Sequence, residues 1–152
     1  MVSIRRAELQ DAARMYELQQ RAFAEEARRC GTREIPPLTE PVEAIAEHVR
    51  DHIGLVALVD HSIVGCVRGV VEGGVCTIRG LVVEPAHQGT GIGSRLLRAL
   101  ESSLAGVTRI DLTTNTIMEG NEPFYIRHGY TTVSSTFPVP EIRLVHMSKA
   151  CV

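Results

Sequence analysis

The residues best equipped for chemistry lie in Leu81–Ser94, LVVEPAHQGTGIGS. Leu81, Val82 and Val83 form the apolar run of a buried strand. Pro85 ends it, because proline has no N–H and restricts the residue before it. Gly89, Gly91 and Gly93 then alternate along a loop that opens a helix. That helix spans Ile92 to about Leu104, with Ile92, Leu96, Leu97, Leu100 and Leu104 on one face. A glycine-rich turn at a helix N-terminus presents free backbone N–H groups and the positive end of the helix dipole. Such a site suits an anion, above all a phosphate or pyrophosphate.

Three glycine-loop patterns compete for this segment, beside a tight strand-to-helix connection that binds nothing. A P-loop requires a Lys directly after its last glycine. Here Ser94 and Arg95 follow Gly93, so the pattern fails. A dinucleotide fingerprint requires G-x-G-x-x-G after an early strand. The spacing here is G-x-G-x-G and comes late in the chain, so that reading is weak. The third pattern, [RQ]-x-x-G-x-[GA], is met by Gln88, Gly91 and Gly93. With Val83-Glu84-Pro85 before it and Leu96-Leu97 after it, the segment closely resembles the acetyl-CoA loop of the GNAT N-acetyltransferase superfamily.

Composition narrows the field independently. The chain has 152 residues, 44% hydrophobic and 22% charged, which suits a single globular domain over 1–152. A net charge of −2 without a basic run gives no footprint for nucleic acid. No apolar run is long enough to span a membrane. The start, MVSIRRAELQDA, has no apolar signal-peptide core, so a cytoplasmic location is expected. Cys30, Cys66, Cys76 and Cys151 lie far apart and are expected as reduced thiols. No His group has metal-ligand spacing; His48 and His52, four apart on a helix, are expected as a solvated pair.

The loop must be positioned by the elements around it. Val2–Arg6 alternates as a strand. Ala7–Arg29 has helical periodicity and ends at Gly31. Thr39 is expected to cap a second helix, with Pro41 in its first turn, running to about Asp51. Strands are expected over Gly54–Val59, Ile63–Val71 and Val75–Val83, joined by turns at Asp60–Ser62 and Gly73–Gly74. After the glycine-loop helix come a strand at Val107–Thr113, a short helix within Ile117–His128, and a final pair, Tyr130–Phe137 with Glu141–Met147. The order βααβββαβαββ implies an α/β (α+β) fold with a mixed, mostly antiparallel sheet flanked by helices. This is also the element order of the GNAT core.

A second segment strengthens the resemblance. Asn121-Glu122-Pro123-Phe124-Tyr125-Ile126-Arg127-His128-Gly129-Tyr130 is similar to the family's N-x-x-x-Y-x-x-x-G-[FY] motif. The resemblance implies that Tyr125 protonates the departing CoA thiolate. It implies that Asn121 contacts the cofactor arm or caps its helix, while Tyr130 reads as a packing residue. Backbone groups of Leu81, Val82 and Val83 would pair with the pantetheine arm and the thioester oxygen. Gln88 and the amides of Gly89, Thr90, Gly91, Ile92, Gly93 and Ser94 would hold the pyrophosphate.

The implied activity is acetyl transfer from acetyl-CoA, without a metal, to a primary amine of a small molecule or peptide. The strand Val75–Val83 lacks the carboxylate that several family members use as base. Glu25, Glu26 and Glu34 are alternatives, since the segment between the first two helices often roofs the acceptor site. Thr113, Thr114 and Asn115, at a strand end, are expected to line that site. Five Glu between Glu25 and Glu43 would favour a cationic amine. A homodimer through the final strands is an expectation of the resemblance alone. A GNAT-like module that binds CoA without turnover, and a nucleotide-binding Rossmann-type domain, are the alternative readings.

Overall fold

A computed structural model describes residues 1–151. Seven strands form one sheet in the order β1-β2-β3-β4-β5-β7-β6. They are β1 (Val2–Arg6), β2 (Ile53–Val59), β3 (Ser62–Glu72), β4 (Val75–Val83), β5 (Arg109–Asn115), β6 (Thr131–Val139) and β7 (Ile142–Ala150). Every pair is antiparallel except β4–β5, whose crossover is the helix α5 (Ile92–Ser103). The mixed sheet flanked by helices is the expected architecture. The β2–β3 and β3–β4 hairpin turns carry positive φ at both central residues, Asp60–His61 and Gly73–Gly74, which suits a right-twisted ribbon. Among the described residues no helix is long and apolar enough to cross a membrane.

The first two helices depart from expectation. Ala7–Arg29 is not one helix: a 3₁₀ turn at Leu9–Asp11 leads into α1 (Ala12–Ala22), and α2 (Ala24–Cys30) follows a break at Phe23. No glycine or proline marks that break. The two pieces have different neighbours. Helix α1 packs on the helix at Val42–Asp51 and the sheet, whereas α2 reaches the end of β5 through Glu26 and Asn115. Thr39 is not a cap either. Pro36–Thr39 forms its own turn, α3, and Pro41 caps α4 (Val42–Asp51). Pro41 holds Glu40 extended between them, at φ −68° and ψ 124°.

Strand periodicity sorts the core into two layers. Leu55 and Ala57 face α5 with Val67, Cys76, Ile78, Ile110 and Met147. Val56 and Cys66 face α1 and α4 with Met15, Leu18, Ile45 and Val49. The apolar stripe of α5 is buried along Ile92, Leu96, Leu97 and Leu100. The four cysteines are free thiols.

On the α1 and α4 face one charge replaces a hydrophobe. Arg68 of β3 is only 2% exposed. Its guanidinium donates to Glu40 Oε1 at 2.7 Å and Oε2 at 3.0 Å, to Gln19 Oε1 at 2.8 Å and to His48 Nδ1 at 2.9 Å. Gln19 in turn donates to the Pro37 carbonyl at 2.8 Å. His48 is therefore no solvated ligand candidate. Burial and the Arg68 charge lower its pKa, and it accepts as neutral imidazole. His52 accepts from the Val71 amide at 3.3 Å. Arg68 thus joins α1, the α3–α4 segment and the sheet. Removing one member of such a pair strands the other charge. Arg68→Leu is expected to destabilise the fold by about 3 kcal/mol in urea denaturation, with Arg68→Leu/Glu40→Leu costing less than the single change.

Candidate functional site

The sheet opens at β4. Parallel pairing with β5 covers only Val75–Arg109, Cys76–Ile110 and Thr77–Asp111. Beyond Thr77, β5 continues beside β7 while β4 continues beside β3, and a wedge separates β4 from β5. A bulge accompanies the split. Arg68 lies opposite Arg79 and Cys66 opposite Val82, so Gly80 and Leu81 together oppose Val67. Gly80 has φ +58°, and a Cβ on it would lie 2.5 Å from Arg68 Nη2 and 2.6 Å from Gln19 Oε1. Only glycine meets both demands. The extra residue reverses the strand's alternation. Cys76 and Ile78 face α5, and Val82 faces α1.

The bulge fixes where Val83 points. Glu84 donates its amide to the Val64 carbonyl at 2.7 Å, on the β3 side. Backbone groups alternate along a strand, so the Val83 N–H and C=O face the wedge. The carbonyl accepts from Gln88 Nε2 at 3.1 Å, and the N–H meets no strand. Gln88 therefore closes the loop back onto the strand end.

The glycine loop follows a 3₁₀ turn at Pro85–His87. Gly89 and Gly91 have φ of +77° and +87°, and Gly91 is the N-cap of α5. Thr90 Oγ1 donates to the His87 carbonyl at 2.6 Å. The first intrahelical bond is from Arg95 N to the Gly91 carbonyl, so the amides of Ile92, Gly93 and Ser94 have no protein acceptor among the described residues. Ser94 Oγ shares a 2.9 Å hydrogen bond with His128 Nε2. Gly93 lies beside Phe124 and Val83.

Wedge and loop belong to one cavity of about 880 Å³. Leu81, Val82, Val83, Gln88, Gly89 and Gly93 line it, with Asn121 and Tyr125 on α6 (Asn121–Arg127) opposite. Thr90, Gly91, Ile92 and Ser94 stand in the same loop but not in the cavity wall. The Tyr125 ring packs edge-on against Phe124 and Tyr130, with centroids 5.1 and 5.8 Å away. Its hydroxyl has no hydrogen-bond partner among the described residues, and burial raises its pKa, so it stays protonated at neutral pH. Asn121 does not cap the helix: Gly120 is the N-cap, and Asn121 Nδ2 donates to the Asn115 carbonyl at 3.4 Å. Tyr130 is buried and donates to Glu101 Oε2 at 2.7 Å, a packing role.

The far half of the cavity is lined by Phe23, Glu26, Pro36, Pro37, Glu40, Thr113, Thr114, Asn115 and Leu144. Of the three carboxylates expected as alternatives, only Glu26 reaches it. Glu25 is at the surface between Arg28 and Arg29, whose hydrogen bonds hold its pKa down to about 2. Glu34 is exposed and outside the wall. Sequence reasoning missed Gln19, Glu40, Arg68 and Gly80. Two signals were present: a glycine inside a strand, which marks a bulge, and an arginine inside the apolar run of β3.

Burial raises the Glu26 pKa, partly opposed by a hydrogen bond from Asn115. Below the unfolded value of about 4.5 both states are protonated and no penalty exists. As pH rises past it, the unfolded chain ionises first, and the native state loses stability until Glu26 ionises in the fold. Glu26→Gln lacks this penalty. Its melting temperature is expected to gain on the unaltered protein as pH rises from about 4 to 7, measured by calorimetry.

Comparison with known proteins fits this geometry. Residues 50–132 match the family model described as acetyltransferase (GNAT) domain. Among solved structures, a GNAT-family acetyltransferase from Streptococcus pneumoniae aligns with a TM-score of 0.78 at 20% identity, covering 100% of both chains. The ribosomal-protein-S18-alanine N-acetyltransferase of Escherichia coli aligns at 0.81 and 18%, covering 99% of this chain and 94% of that one. The PaiA N-acetyltransferase of Thermoplasma acidophilum, in complex with coenzyme A, aligns at 0.79 and 16%, covering 99% of each. At these identities the likeness is one of fold. No functionally curated sequence matches the chain.

Proposed function

Because the chain belongs to the GNAT acetyltransferase family, we propose that it moves the acetyl group of acetyl-CoA directly onto a primary amine of a small molecule or peptide. The observation that most supports this reading is the Val83 N–H. It faces an open wedge, within one cavity wall that also includes Tyr125 and part of the glycine loop. The cavity volume suits a cosubstrate arm and an acceptor together. The same reading takes the chain as one cytoplasmic domain that works without a metal.

Each part then has a task. The free amides of Ile92, Gly93 and Ser94, with the dipole of α5, meet the pyrophosphate. The open edge of β4 from Ile78 to Val83 pairs with the amide-bearing arm as an added strand would. The Val83 N–H faces the thioester oxygen and stabilises the negative charge that develops there during attack. Tyr125, neutral and with a free hydroxyl, donates a proton to the departing sulfur.

Two changes test these tasks. Gly91→Glu puts a side chain at φ +87° and a negative charge at the anion site. It is expected to abolish acetyl-CoA binding in calorimetric titration, and unchanged affinity would refute the loop assignment. Thiol release from acetyl-CoA over a panel of polyamines, amino acids, amino sugars and peptides is expected to respond to one amine class. Tyr125→Phe should lower kcat there by about 100-fold. A protein that binds acetyl-CoA but is silent across the panel is instead a binding module.

A further inference from the structure

Two carboxylates line the cavity, Glu40 and Glu26, and of these Glu40 alone is matched with a cation among the described residues. Glu40 is held by Arg68, Glu84 lies between Arg14 and Arg21, and Glu25 bridges Arg28 and Arg29. Glu26 is 7% exposed and lines the cavity. Among the described residues no Lys or Arg pairs with it, and its one hydrogen-bond donor is the neutral Asn115 Nδ2 at 3.3 Å. The other cavity cations, Arg79 and Arg127, are exposed, and Arg68 is taken up by Glu40. A buried carboxylate without a cation is costly in the fold. A cationic ligand removes that cost.

The carboxylate is also held in place. Asn115 Oδ1 accepts from the Ile117 amide at 3.0 Å, which orients Nδ2 toward Glu26 and Cys30 Sγ. The Asn115 carbonyl receives Asn121 Nδ2 from α6, the helix that carries Tyr125. One short polar chain therefore ties α2, the end of β5 and α6 together. Glu26 and Tyr125 stand in the wall of one cavity, on different elements.

We infer that Glu26 receives the ammonium group of the acceptor and takes its proton, and that the acceptor is an aliphatic amine, cationic in water. This rests on the acetyl-transfer reading above. The ammonium gives one proton to the Glu26 carboxylate, which passes it to solvent. The freed lone pair forms the C–N bond at the thioester carbonyl carbon. The C–S bond breaks as Tyr125 protonates the sulfur, and the second nitrogen proton replaces the one Tyr125 gave. The balance is ammonium plus thioester to amide, thiol and one proton. An aromatic amine, uncharged at neutral pH, gains nothing from Glu26.

The test compares Glu26→Gln with the unaltered protein on the best aliphatic amine of the panel and on an aromatic amine of similar size. Both proteins are first shown to bind CoA with the same affinity. The unaltered protein is expected to prefer the aliphatic amine. In Glu26→Gln, kcat/KM on that amine is expected to fall at least about 30-fold further than on the aromatic one. Equal losses on both, or no loss, overturn the inference while acetyl transfer stands. If the unaltered protein acetylates neither amine, the transfer reading fails, and binding decides the amine site alone. There, 1,3-diaminopropane must raise the melting temperature of the CoA-loaded protein above a potassium chloride control, and must not raise that of Glu26→Gln. No rise in either protein overturns the inference.

Discussion

The cavity depends on the parting of β4 from β5 after Thr77, and that parting depends on a bulge that only a glycine can make. Had β4 stayed in register, Val83 would have faced α1 instead of the α5-side core against which it packs. The extra residue at Gly80–Leu81 reverses which side chains enter which core. It also delivers a strand end whose amide has no strand to meet. The Arg68 guanidinium lies directly beneath, within 2.5 Å of where a Cβ on Gly80 would sit. Bulge and buried charge are thus one feature seen from two strands.

Charge placement separates scaffold from chemistry. Arg68 and Glu40 cancel deep in the fold, with Gln19 and His48 satisfying the remaining polar positions. Such a pair contributes little net stability but fixes the relative placement of α1, α4 and β3. Glu84 is similarly neutralised, at the point where β4 ends and the glycine loop begins. Glu26 lines the same cavity as Glu40 but has no such partner among the described residues. Two acidic residues at adjacent positions in α2 therefore have opposite characters. Glu25 is pulled down to about 2 by two arginines at the surface, and Glu26 is pushed up by burial.

The break at Phe23 has the same logic. A continuous helix would have prolonged the line of α1, which packs on α4 and the sheet. The break frees α2 to lie over the end of β5, where Glu26 meets Asn115 and Phe23 joins the cavity wall. The short α3 and the extended Glu40 before Pro41 complete that wall and supply the partner for Arg68. Both departures from helical periodicity thus shape the half of the cavity lined by Phe23, Glu26 and Asn115 rather than the core.

By itself the sequence determined what local physics controls. Glycine spacing before an apolar-striped helix marked the strand–loop–helix turn at Gly89–Gly93. Alternation and turn residues marked β1 to β4 and the hairpins between them, and the apolar stripe of α5 marked its buried face. Helical periodicity could not reveal the break at Phe23, because no local residue type requires it and the reason lies in what α2 touches. Nor could spacing separate Glu25, Glu26 and Glu34, three acidic residues in one segment. Their fates depend on which neighbours the tertiary structure brings near: two arginines for one, a closed cavity and Asn115 for another, and solvent for the third. The Arg68 network and the bulge at Gly80 are likewise tertiary decisions. The partners in the Arg68 network lie up to 49 residues apart in the chain, and only the packed fold brings them within hydrogen-bonding distance.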